Sequence, residues 1–197
     1  MSEFLTAAAF RVRQAPTRAR YDHATAHAIL DEGLVAHVAF QSEAGPVALP
    51  MFYVRDKARV LIHASRKSRL MRMLIQGAPL CLTVTLVDGL VMARSAFHHS
   101  MNFRSVMVHG CAAPLPREEK AAALALFVER VRAGRSAEVR APNVQELKAT
   151  EVLAIPLVDV VAKVRSGGPL DDEADLSLPV WAGVVPITSA YGTPIDA

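Results

Sequence analysis

The spacing of its apolar residues constrains this chain most. Short alternating runs bounded by turn residues follow one another in hairpin order, without the βαβ alternation that a parallel sheet needs. LVAHVAFQ, starting at Leu34, leads through a Glu-Ala-Gly-Pro turn into VALPMFYVR. A turn at Asp56-Lys57 then gives RVLIHA. LCLTVTLV and LVMARSAF flank Asp88-Gly89, the clearest hairpin signal in the chain. With FRSVMVHGCAAPL, VLAIPL and VVAKVR, the set comes to about six or seven strands. The fold expected is mainly β, a small antiparallel barrel with peripheral helices.

The helices are equally readable. Asp22 is placed as an N-cap, Ala26, Ile29 and Leu30 follow at helical spacing, and Gly33 ends the turn. SRKSRLMRMLIQG puts Leu70, Met73 and Leu74 on one face and gathers its basic residues near its start. From 117 to about 132, Leu124, Phe127, Val128 and Val131 recur three and four apart, an amphipathic helix for the surface of a core. A further short helix is expected through VQELKA, after Pro142. An acidic turn holding Asp171, Asp172, Glu173 and Asp175 precedes a tail with Trp181 near its start.

Of 197 residues, 52% are hydrophobic, enough for one domain to bury a real core, so residues 21–197 read as a single domain. Ahead of it, residues 1–20 form an arm carrying Arg11, Arg13, Arg18 and Arg20, expected as a solvated leader on the surface. Without aromatic interleaving or a recognition helix, a nucleic-acid partner is not expected. No apolar run approaches the roughly 18 residues of a membrane span, so no membrane association is expected. The acid at Glu3 does not suit a secretory leader, and the expected location is cytoplasmic. Cys81 and Cys111, both in apolar strand-like segments, read as reduced thiols.

The most informative stretch is Ile62-His63-Ala64-Ser65-Arg66-Lys67-Ser68-Arg69, where a strand runs into the first turn of a helix. Free backbone N–H groups, two serine hydroxyls and cationic side chains offer the donors and positive field that a phosphate needs. An ordinary capped helix with a solvated basic face accounts for the same residues. Neither GxxxxGK[ST] nor GxGxxG is present, so a nucleotide would have to be gripped another way. His98-His99, His63 and His109 raise the question of a metal. Adjacent strand residues point to opposite faces, however, so His98 and His99 are poorly placed to share an ion, and no metal is expected.

A strand ending in H-A-S-x-x-S-R and entering a helix resembles the FMN-phosphate segment of the pyridoxamine-phosphate-oxidase-like split-barrel flavoproteins. ARSAFHHSMNFRSVMVHG resembles the second strand-borne piece of their cleft, and LPVWAGVVP their C-terminal tryptophan segment. The similarity runs from about Tyr21 to Pro186 and is nearest the flavin-nucleotide-binding subgroup related to nitroimidazole-resistance proteins. The resemblance implies an FMN-binding split β-barrel, a homodimer with the cofactor at the subunit interface, and a small-molecule substrate.

Position by position, it implies that Ser65, Ser68 and Arg69 bind the phosphate with Lys67 helping, and that His63 and Ala64 belong to the same cofactor-binding set. Pro50, Met51 and Phe52 would line the isoalloxazine ring; Asn102, Arg104 and Ser105 would approach it from a neighbouring strand. Trp181 would close the pocket, and His98 or His99 is the candidate proton donor to substrate. After Trp181 the tail has no arginine, lysine or histidine. The true pyridoxamine phosphate oxidases carry a basic substrate motif there, so that particular activity is not expected. Two readings follow: an FMN-dependent oxidoreductase, or a non-catalytic flavin- or haem-binding protein for storage, transfer or sensing.

Overall fold

The computed structural model describes residues 2–196. In chain order its elements are β1 (Ala19–Arg20), α1 (His23–Glu32), β2 (Val35–Ser42), β3 (Gly45–Asp56), β4 (Arg59–Ser65), α2 (Arg69–Ile75), β5 (Leu80–Met92), β6 (Ser100–Gly110) and β7 (Ala113–Pro114), followed by α3 (Lys120–Val131), α4 (Arg135–Glu138), α5 (Val144–Ala149), β8 (Thr150–Pro156), β9 (Asp159–Arg165) and β10 (Gly183–Pro186). The strands form one sheet in the order β1-β9-β6-β5-β2-β3-β4-β8-β7, with β10 added to β5. Every pairing is antiparallel. The path of hydrogen bonds is open, and the sheet curls so that β2, β3, β4, β5, β6, β8 and β9 all contribute to one core, a split barrel.

Local chemistry explains most boundaries. The Asp22 carboxylate accepts the Thr25 N–H at 2.8 Å, and that bond holds it below the usual carboxylate range. Ala26, Ile29 and Leu30 then bury one face of α1. Buried Tyr53 donates its hydroxyl to the Leu30 carbonyl at 2.8 Å, tying the helix to β3. Gly33 ends α1 where a Cβ would lie 2.5 Å from Val84 Cγ1, so a side chain there would force helix and barrel apart. Asn143 and Glu146 make a reciprocal capping box at the start of α5.

β4 is buried on both faces. Val60 and Ile62 face the main core, while Leu61 joins Val54, Leu115, Ala123, Phe127 and Val152 in a second core under α3. The result is a barrel wall covered on its outer side by α3.

Ten strands replace the six or seven expected, because β1, β7 and β10 are only two to four residues long and show no pattern. Asp88-Gly89 is not a hairpin turn. β5 runs straight through it to Met92, with a bulge between Val87 and Gly89. Gly89 is there for a long-range reason: a Cβ would sit 2.9 Å from the Val185 carbonyl oxygen and 3.0 Å from Val184 Cγ1, where β10 crosses.

Residues 2–20 are mostly exposed, yet the arm is anchored to the domain at several points. Phe4 is buried and stacks on His23 at 3.9 Å, Thr6 donates to the Val160 carbonyl, and Phe10 stacks on His109 at 4.1 Å. His98 closes a 3₁₀ turn (Ala96–His98) with His99 just beyond it, so neither histidine lies on a strand.

Candidate functional site

His63 is the most distinctive of the expected residues. It sits two residues along β4 from Leu61, hence on the outer face under α3, where its imidazole meets the edge of the Phe127 ring. Around it lies a cavity of about 450 Å³ lined mainly by Ala121, Leu124, Ala125, Phe127, Val128 and Val139. Arg140 and Glu146, also in the lining, pair with each other at 2.6 Å, and the arginine holds the Glu146 carboxyl at about 2. Burial pushes the His63 imidazole below its ordinary value, so it is neutral at pH 7. Neutral imidazole with a free ring nitrogen in an apolar cavity is the form that ligates a metal centre.

From the end of β4 into the start of α2, Ser65, Lys67 and Arg69 are exposed and Ser68 is half-buried. The corner is partly satisfied by itself. Ser68 Oγ accepts the Met71 N–H at 3.2 Å as the N-cap of α2, and Ser65 Oγ accepts the Lys67 N–H at 3.3 Å. The Arg66 N–H goes to the Ala149 carbonyl and the Ser68 N–H to the Ser65 carbonyl. Both hydroxyls keep a proton to donate, and Lys67 and Arg69 have no ion-pair partner among the described residues. The corner is a capped helix start with donors left over.

Pro50, Met51 and Phe52 lie on β3 opposite His37, Ala36 and Val35, and Phe52 packs 5.9 Å from Phe127. Phe52, His63 and Phe127 are thereby brought together, with Ala64 next along β4.

The β6 residues point to other duties. Asn102 is buried, donates to the Gly167 carbonyl at 3.1 Å and accepts from Arg165. Arg104 is clamped between Glu32 and Asp88, whose hydrogen bonds, those of Glu32 first, raise its pKa further. The Ser105 hydroxyl donates to the Lys163 carbonyl at 3.4 Å. Arg104, Glu32 and Asp88 line a separate cavity of about 720 Å³ beside 187–191.

Trp181 is 64% exposed with its ring over Gly183, where a Cβ would meet Cζ2 at 2.8 Å. His98 lies 3.2 Å from the Asp172 carboxylate and His99 bonds the Ser95 carbonyl at 2.9 Å, both on the outside of the 3₁₀ turn.

Within one chain, then, the expected residues fall into four places: the β3–β4 wall with its corner, the β6 network, the 3₁₀ turn of His98 and His99, and the exposed Trp181. Sequence reading passed over the cavity wall itself. Part of its lining, 136–142, runs from the single turn of α4 into irregular chain and has no apolar period to reveal it.

An antiparallel split barrel with a cavity on its outer wall is a small-molecule-binding architecture. A sequence model described as pyridoxamine 5'-phosphate oxidase matches residues 22–164, and the chain belongs to that family. None of the curated proteins matches the sequence. Among solved structures, the flavocytochrome Anf3 from Azotobacter vinelandii is 38% identical, with 97% of this chain and 89% of that chain covered at a TM-score of 0.92. An FAD and haem binding protein from Mycobacterium smegmatis is 35% identical, covering 91% and 89% at 0.89. A 5-nitroimidazole antibiotic resistance protein, so described provisionally, from Bacteroides thetaiotaomicron shares the fold at 19% identity, covering 74% and 86% with a TM-score of 0.62.

Proposed function

We propose that this protein binds a flavin and a haem and passes electrons between a donor and a small-molecule acceptor. The observation that carries the reading is the half-buried, neutral imidazole of His63, without a hydrogen-bond partner among the described residues, facing an apolar cavity in a chain 38% identical to a flavocytochrome and 35% identical to an FAD and haem binding protein. The cavity residues fit a haem: an imidazole donor, an aromatic edge and an aliphatic wall. His63 would hold the haem iron through its imidazole, and Phe127 would fix the plane of that imidazole ring. Bound there, a haem supplies one-electron chemistry; the protein supplies the ligand, the dry wall and the orientation.

The flavin is assigned to the Ser65–Arg69 corner, with Ser65, Lys67, Ser68 and Arg69 toward phosphate and Met51 and Phe52 toward the ring. Charge-assisted hydrogen bonds contribute about 1.5–3 kcal/mol each, and micromolar affinity needs about 8 kcal/mol net of ordering costs. Ring burial must supply the difference, which favours a cleft in a homodimer where Trp181 of one protomer covers the ring held by the other. The Mycobacterium smegmatis relative is named for FAD, which supports FAD over FMN in that cleft.

The test is the absorbance spectrum of the purified protein. Flavin bands and a Soret band are expected; His63→Ala abolishes the Soret band and leaves the flavin, while Ser68→Ala with Arg69→Ala releases the flavin. Chromatography of the released flavin separates FAD from FMN. Bleaching by reduced nicotinamide with turnover on an acceptor distinguishes an oxidoreductase from a carrier. A colourless protein that takes up neither cofactor overturns the proposal.

A further inference from the structure

On the far side of α5 from the His63 cavity lies a second basin, about 600 Å³, lined by Arg66, Arg117, Lys120 and Lys148 over a floor that includes Leu115 and Leu147. Its one acid, Glu151, is almost wholly buried. Glu151 follows Thr150 and precedes Val152, which packs under α3, so alternation turns its side chain to the opposite face of β8. A buried carboxylate is costly unless paired. Here Lys120 Nζ lies 2.6 Å from it and donates also to the Thr150 carbonyl, and Arg66 Nε stands 3.7 Å away.

The consequence is an arrangement in which Glu151 and Lys120 neutralise each other at the base, leaving the cations of Arg66, Arg117 and Lys148 at the mouth. Those three come from the end of β4, the segment before α3 and the last turn of α5. Arg117 and Lys148 have no ion-pair partner among the described residues, and Arg66 is 69% exposed. Three cations converging from three elements repel one another, a cost that a multiply charged anion relieves. Two guanidinium forks beside an ammonium match the oxygens of a diphosphate, and the aliphatic floor accepts an attached ring.

We infer that this basin, which adjoins the flavin corner through Arg66, binds a diphosphate-bearing small molecule of nucleoside-diphosphate size in addition to the flavin. The flavin-loaded protein is titrated with inorganic pyrophosphate by calorimetry at 150 mM salt, beside an Arg117→Ala, Lys148→Ala double variant. Saturable one-to-one binding that weakens tenfold or more in the variant, with flavin content unchanged, is the expected result. A Glu151→Gln variant, which frees Lys120, is expected to bind at least as tightly if it folds. No saturable binding, or binding indifferent to the double substitution, overturns the site. Loss of flavin from the double variant also overturns it as a site additional to the flavin's and makes the basin part of the flavin's own seat. Because flavin content is read by absorbance and pyrophosphate by heat, failure of this site and failure of the flavin reading are told apart; a flavin-free preparation is titrated in the same way.

Discussion

The His63 imidazole and the Phe127 ring meet edge to face, their centroids 4.4 Å apart and their planes at 78°, with Phe127 buried between α3 and the β4 wall. One aromatic residue thus serves both the second core and the wall of the cavity. Phe127→Ala is expected to cost about 3–5 kcal/mol through lost burial and the void left behind. Phe127→Leu should cost about 1.5 kcal/mol or less. Urea unfolding of the two variants measures the difference.

Stability should fall on mild acidification. Burial lowers the imidazoles of His27, His63 and His109 below the ordinary 6.5. As pH drops through that value the unfolded chain takes up protons that the folded chain refuses, so stability is full above it and declines until each folded pKa is reached. The lowered carboxyls of Asp22, Glu32 and Asp171 act in a separate window, where stability is lost below about pH 4 as the folded groups protonate. Urea midpoints at pH 7.5 and 5.5 isolate the histidine part, and His63→Gln should flatten that slope.

Arg104 holds Glu32 and Asp88 together at the rim of its cavity. Arg104→Met leaves two carboxylates facing each other and is expected to destabilise by roughly 1–3 kcal/mol, between the values for exposed and buried pairs. Adding Glu32→Gln should recover part of the loss. A double-mutant cycle in urea that finds no coupling contradicts the clamp.

Gly89→Ala places a methyl against the backbone of β10. The expected effect is release of that strand at about 1–3 kcal/mol, seen as faster amide exchange across 183–186 with little change in β2 to β4.

Trp181 is the sole tryptophan and is mostly exposed in the single chain. In the proposed dimer its emission should be red-shifted and open to iodide in dilute apoprotein, then quenched when flavin is added. Emission that does not respond to flavin places Trp181 away from the cleft.

What the sequence showed and what it hid divide along the range of the interactions. The starts of α1 and α5 were legible because Asp22 and Asn143 cap backbone groups three residues away. β2 and β3 were legible because their alternation is local. Gly89 was misread because Asp-Gly between apolar runs has the composition of a turn, whereas its reason for being glycine lies nearly a hundred residues onward, in Val185.

The β6 site residues suffer the same limitation. Nothing in the sequence announces the partners of Asn102 and Arg104, which in the fold are Arg165 on β9 and Glu32 on α1. His63 was recognisable as part of the strand-to-helix motif, but its cavity also depends on the segment from α4 to Pro142, whose place over β4 no local pattern announces.

The docking of the first residues onto β9 has a consequence for synthesis. Thr6 and Ala7 bond to Val160 and Asp159, and β1 zips to 162–163. Residues 6 and 7 must therefore wait for more than 150 further residues to be synthesised before their partners exist. For much of that interval Phe10 lacks its stacking partner His109. A fusion partner that crowds the amino end should slow maturation more than one placed after the final strand.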